Sequence, residues 1–165
     1  MTELRDLYDI NSNKPNKTYH KEETIPNGYY PMVVMVAIRN SKGEFLMQKR
    51  AKSKGGDWGV TGGHPKSGET PLEGIITEVK EELGLDFSKE KFIEFNSGCD
   101  GKDCYKMYLV NKDIDLKDIK IQEDELSLVK WFSMEKLKHM VKTKELNENQ
   151  ISCFIKVCDF LEENK

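Results

Sequence analysis

No apolar run in this sequence approaches the roughly 20 residues that span a bilayer, which excludes a membrane-crossing helix. Positive charge is not concentrated either. Against 29 Asp and Glu stand 26 Lys and Arg, a net of −3, so neither a nucleic-acid polymer nor an acidic membrane is an expected partner. The segment MTELRDLYDINSNK lacks an apolar stretch of the export type, and the expectation is a soluble, cytoplasmic chain. Histidine and cysteine are scarce, three and four residues. Cys99 and Cys104, like Cys153 and Cys158, leave four residues between them, whereas common zinc knuckles favour two. The sequence therefore predicts reduced, mostly buried cysteines rather than a zinc site. At 165 residues the chain suffices for one core, read as a single domain over 1–165 with a polar N-terminal extension over 1–30.

Apolar patterning supplies the elements. MVVMVAI (32–38) is almost continuously apolar and β-branched, which suits a strand covered on both faces. A turn at Asn40-Ser41-Lys42-Gly43 returns the chain into 44–50, predicting a hairpin. Residues 58–61, 91–95, 105–110 and 126–132 read as further strands, and NSNKPNKTYH in the extension reads as loop. Helices are predicted over 71–83, 134–142 (capped by Ser133) and 148–162. The last carries an apolar stripe from Ile151 to Leu161 that either packs on the sheet or forms a homodimer contact. This order predicts an α/β or α+β layered fold with a mixed sheet.

The chemistry is concentrated in GGHPKSGETPLEGIITEVKEELGL (62–85). Thr70, Pro71 and Glu73 predict an N-cap, an N1 proline and a capping box, and Gly84 a C-terminal stop. On a helical wheel Leu72, Ile75, Ile76, Val79 and Leu83 form the core face. Glu78, Glu81 and Glu82 gather beside it, with Glu82 at its margin and Glu81 pointing nearly away. Gly74, one turn before Glu78, leaves room for a ligand. A charged surface face is the plain alternative. Against it, like charges at i and i+4 repel, and two carboxylates in the last turn oppose the macrodipole. Lys80, the nearby cation on the helix, points elsewhere. A divalent cation would satisfy such a set, and oxygen donors suit Mg²⁺, or Mn²⁺, rather than zinc.

The spacing Gly63, Glu69, Thr77-Glu78-Val79, Glu81-Glu82, Gly84-Leu85 resembles the signature box of the Nudix hydrolases, with Thr77 in place of that box's Arg. The lead-in Trp58 to Gly63 is also similar, with Thr61 where Pro is common. The resemblance implies an α/β/α sandwich and Mg²⁺-dependent hydrolysis of a phosphoanhydride in a small nucleoside diphosphate derivative or related organic diphosphate. It further implies that Glu78, Glu81, Glu82 and the Gly63 carbonyl hold metal. Glu81 or Glu82 then doubles as the base that takes a proton from water. Glu125, in the charged loop before 126–132, is a weaker site residue. Thr77 cannot supply the charge with which the box Arg orients the carboxylates. Two outcomes follow, a slower or metal-hungry enzyme and a silent domain that only binds.

Arg50, Lys54 and Gly63-His64-Pro65 resemble the isopentenyl-diphosphate isomerase branch of the superfamily, which implies that Arg50 and Lys54 hold a diphosphate; His64 stands where that branch's His binds metal, and here it is expected to line the site. Isomerisation itself is not expected, because Gly62 stands where that branch carries its catalytic Cys, and Pro31, Lys102 and Cys104 stand near its other ligand positions. Selectivity is expected from residues 1–30, 51–57 and 96–104, with Tyr29, Tyr30, Phe95 or Tyr105 as stacking rings.

Overall fold

A computed structural model describes residues 2–165. Its centre is strand β3 (Met32–Arg39), whose alternate side chains serve two layers. Val34, Val36 and Ile38 face one side, Met35 and Ala37 the other, and this is why the run is apolar throughout. A turn leads into β4 (Phe45–Arg50), joined to β3 at Arg39↔Phe45. The expected strand at 58–61 is two short pieces, β5 (Trp58–Gly59) on β4 and β6 (Thr61–Gly63) antiparallel to β3.

Helix α1 (Pro71–Leu83) follows, with the predicted capping box formed and Gly84 in the left-handed conformation that ends it. β7 (Ile93–Cys99) pairs antiparallel with β8 (Cys104–Asn111), which runs parallel to β3 from Met32↔Cys104 to Arg39↔Asn111. β9 (Leu126–Phe132) pairs with β4 and slips register between Lys49 and Arg50. Helices α2 (Met134–Lys142) and α3 (Glu148–Glu163) complete the chain.

Ile75, Val79 and Leu83 of α1 pack on one face of the sheet with Phe87 and Tyr108. Leu137 and Met140 of α2 and Cys153, Phe154 and Val157 of α3 pack on the other. The result is the mixed-sheet α/β/α sandwich expected from the sequence. The α3 stripe is thus laid on the sheet, Phe154 meeting Phe45 edge-on at 6.0 Å, while Ile155 faces outward. Leu72, expected in the core, is 40 % exposed, because the packed stripe begins one turn later at Ile75. Among the described residues no helix is long and apolar enough to cross a membrane.

Two further expectations are corrected. The extension is not all loop: β1 (Leu4–Asp6) and β2 (Thr18–His20) form an antiparallel hairpin. Three-residue strands are too short to show a period, so the sequence hides them. Cys99 and Cys104 are joined as a disulfide rather than reduced, because the β7–β8 register sets them directly opposite. Cys153 and Cys158 are free thiols, and burial pushes Cys153 up to about 12.

Candidate active site

A cleft of about 460 Å³ opens where α1, β6 and the end of β4 meet. Glu78, Glu81 and Glu82 all line it, with Gly63, His64, Arg50 and Glu125. The structure therefore brings together every sequence-derived site residue except Lys54. Lys54 lies beyond the rim and pairs with Glu125 at 3.0 Å, so its charge reaches the cleft only through that carboxylate.

Glu78 and Glu82 stand one helical turn apart on the margin of the buried face, and both are half-buried. Burial raises Glu78 to about 8, with the charges of Glu82 and Glu81 adding to it. Burial also raises Glu82, to about 7, with the Gln48 hydrogen bond opposing and Glu125 reinforcing the rise. Two carboxylates are thus held where burial and like charge outweigh the nearby cations Lys66 and Arg50. Glu78 also lies hard against Gly63: a Cβ placed there would land on its carboxyl group. The absent side chain is what lets the loop backbone and this carboxylate share one small volume.

Glu82 is oriented by a residue that sequence reasoning missed. Gln48 Nε2 donates to Glu82 Oε2 at 2.6 Å, and Thr61 Oγ1 donates to Gln48 Oε1 at 2.7 Å. The amide cannot flip without breaking both bonds. The departure at Thr61 therefore has a structural use, since a proline there would offer no hydroxyl.

The departure at Thr77 has one too. Thr77 Oγ1 donates to Glu69 Oε1 at 2.6 Å, and Glu69 Oε2 accepts from the Lys66 backbone N–H at 2.8 Å. Lys66 then places its ammonium on Glu81 in a direct ion pair. The cation beside Glu81 is Lys66 from the loop before α1, not Lys80. The side chains of Glu81 and Lys66 are 46 % and 40 % exposed, so this pair orients more than it stabilises.

His64 is half-buried in the cleft wall. Burial, then the charge of Arg5, lowers its pKa to about 4, so it is a neutral hydrogen-bonding ring at pH 7. Gly74 does not make room for a ligand. A Cβ there would come within 2.7 Å of the Pro65 ring, so its role is close packing of the loop onto the helix. Of the proposed stacking rings, Tyr29, Tyr30, Phe95 and Tyr105 are outside the cleft wall, and the ring that lines it is Trp58. Also missed were Glu3, Arg5 and Lys21, carried into the cleft around the β1–β2 hairpin.

Among the described residues no three His, Cys, Asp or Glu side chains converge on one point, and Glu81 is paired with Lys66. The donor set nonetheless fits a hard divalent cation. It is all oxygen, two members are half-buried carboxylates with no ion pair of their own among the described residues, and Gly63 abuts one of them.

A NUDIX-domain family model matches residues 29–153. A protein of Listeria innocua named as an uncharacterized Nudix hydrolase is 33 % identical over 149 residues, 85 % of either chain. An isopentenyl-diphosphate Delta-isomerase of Pectobacterium atrosepticum is 36 % identical over 83 residues, 48 % of this chain and 46 % of that one. A crystal structure of a Deinococcus radiodurans protein superposes with a TM-score of 0.78 at 20 % identity, covering 92 % of this chain and 97 % of that chain, a likeness of fold.

Proposed function

The chain belongs to the Nudix hydrolase family, and on that premise we propose that it splits the phosphoanhydride bond of a small organic diphosphate, a nucleoside diphosphate derivative or a close chemical relative, with Mg²⁺ or Mn²⁺. The observation carrying this reading is the pair Glu78 and Glu82, half-buried one helical turn apart in the cleft, with Glu78 against Gly63.

Glu78, Glu82 and the backbone of Gly63 would hold the cation, with Glu81 joining from the rim. When bound, the cation offsets phosphate charge and acidifies water. The residues of the chain do the rest. Gln48 fixes the carboxylate plane of Glu82, and Lys66 fixes Glu81. Arg50 lines the cleft beside Glu82 and supplies a forked donor for a phosphate. His64, neutral, offers an N–H to a phosphate oxygen without adding charge. The proton lost by the attacking water passes to Glu81 or Glu82.

Phosphate release against a panel of nucleoside diphosphate derivatives, with Mg²⁺ and with Mn²⁺, tests the reading, with Glu81→Gln and Glu82→Gln to separate base from ligand. Turnover abolished by Glu82→Gln supports it. Tight binding without turnover on every compound would replace it with the second reading, a silent binding domain. Thr77 favours that second reading, and the Lys66–Glu81 pair weighs against it, because the missing charge is supplied from another element. Isomerisation needs a thiol at position 62, where a Cβ would sit 2.6 Å from the Val34 carbonyl oxygen.

A further inference from the structure

The hairpin β1–β2 precedes the family-matched segment, 29–153, yet it is bolted to the loop that enters α1. Ser67 N–H donates to the Leu4 carbonyl at 2.8 Å, and Asp6 accepts from Ser67 Oγ at 2.8 Å and from Gly68 N–H at 3.0 Å. Lys14 reaches both Asp6 and the Glu69 carbonyl at 2.8 Å. These bonds fix the hairpin against the site.

What it presents there is cationic. The Arg5 side chain is only 13 % exposed, its Nε donates to Glu3 at 2.8 Å, and its fork lies beside Tyr19. Guanidinium has five N–H donors, so the fork keeps donors to spare. Lys21, one residue beyond β2, lines the same cleft and has no ion pair among the described residues. Arg5 and Lys21 share the cleft wall with His64 and Gly63. The cleft is thus lined by cations from two elements, Arg5 and Lys21 around the hairpin and Arg50 at the end of β4, together with the carboxylates. Glu3 offsets one charge, leaving the hairpin net positive in the cleft.

A phosphate esterified on both sides carries one charge, while a terminal phosphate carries nearly two at pH 7. Two cations from one hairpin, one of them a largely covered arginine, match the latter. We propose that Arg5 and Lys21 form a subsite for the unesterified terminal phosphate of the substrate, selecting phosphate chains with one free end over chains capped at both. This rests on the cleft being a site for organic diphosphates.

The test compares kcat/KM for a nucleoside diphosphate and for the same compound esterified at its terminal phosphate by a hexose, in wild type, Arg5→Gln and Lys21→Gln. The wild type should prefer the free-ended compound, and each substitution should shrink that preference about 10- to 100-fold, the range of a lost charge-assisted bond. Calorimetric binding of a methylene-bridged nucleoside diphosphate should weaken in parallel. An unchanged preference ratio with unchanged analogue binding overturns the proposal. If wild type turns over neither compound but binds the analogue in an Arg5-dependent way, the hydrolytic reading falls and this one stands. Should Arg5→Gln unfold the hairpin by circular dichroism, the exposed Lys21 carries the test alone.

Discussion

Adjacent glycines in the loop before α1 should respond to the same substitution in opposite ways. At Gly63 the three atoms nearest an added Cβ all belong to the Glu78 carboxyl group, and even the farthest, Oε2, is at 2.8 Å. Ordinary contact begins at 3.4 Å, so that oxygen must retreat by 0.6 Å (3.4 − 2.8) and the nearer atoms by more. A side-chain terminus can do this at little cost to folding. A carboxylate in the proposed role of cation ligand cannot, since a misplacement of about 1 Å is worth about 10²-fold in rate. At Gly62 the nearest atom is the Val34 carbonyl oxygen at 2.6 Å, part of the β3 backbone. It cannot rotate away, and such overpacking costs about 1–3 kcal/mol. For a domain of this size that is a Tm drop of about 2–12 °C. Gly63→Ala should therefore lose about 10²-fold in kcat with Tm nearly unchanged, and Gly62→Ala should lose Tm. Thermal melts in EDTA and Mg²⁺ titrations of the rate read the two effects separately. A Gly63→Ala enzyme with wild-type kcat and metal requirement would refute the placement of Glu78.

Other outcomes follow from the same geometry. Thr77→Arg should rescue most of the activity lost in Lys66→Ala but add little to wild type, a non-additivity that a double-mutant cycle in kcat measures. Gln48→Leu leaves the Thr61 hydroxyl and Glu82 without their partner, and should cost about 1–3 kcal/mol by urea unfolding as well as activity. Glu78 binds its proton more tightly folded than unfolded, about 8 against 4.5, so the metal-free protein should lose stability as pH rises through that window. His64 acts in the opposite sense between about 4 and 6.5, so the clean range is pH 6.5–8. There Mg²⁺ should raise Tm more at the alkaline end, and a Mg²⁺ shift that is flat with pH would contradict it. Cys153 should resist a thiol reagent in the folded protein at pH 8, with labelling appearing only on unfolding.

The helix carrying the carboxylates was legible because its signals are local: a cap, a proline, a 3.6-residue period and a terminal glycine all fall within 70–84. A central strand covered on both faces was legible for a related reason, since every side chain from Met32 to Ile38 is apolar. The partners that tune the site were not legible. Gln48 and Glu82 are 34 residues apart, and Lys66 meets Glu81 only because the loop doubles back along α1. Nothing in a polar glutamine on a strand or a lysine in a loop announces such a contact. Thr61 and Thr77 showed only as departures from a pattern, and their use emerged once the neighbours of their hydroxyls were placed.

The amide of Val60, wedged between the two short strands that lead to Gly63, donates to the side chain of Gln150 at 2.9 Å across 90 residues of sequence. The same side chain lies so close to Gly59 that a Cβ there would come within 2.8 Å of it. A ribosome making this protein finishes the acidic helix long before it makes the peg that secures the loop in front of it. Until α3 has emerged and docked, the Val60 N–H stays with solvent and the strand junction before Gly63 lacks this latch. Chains cut short before Gln150 should therefore emerge with the acidic helix present in sequence and the Val60 amide unlatched.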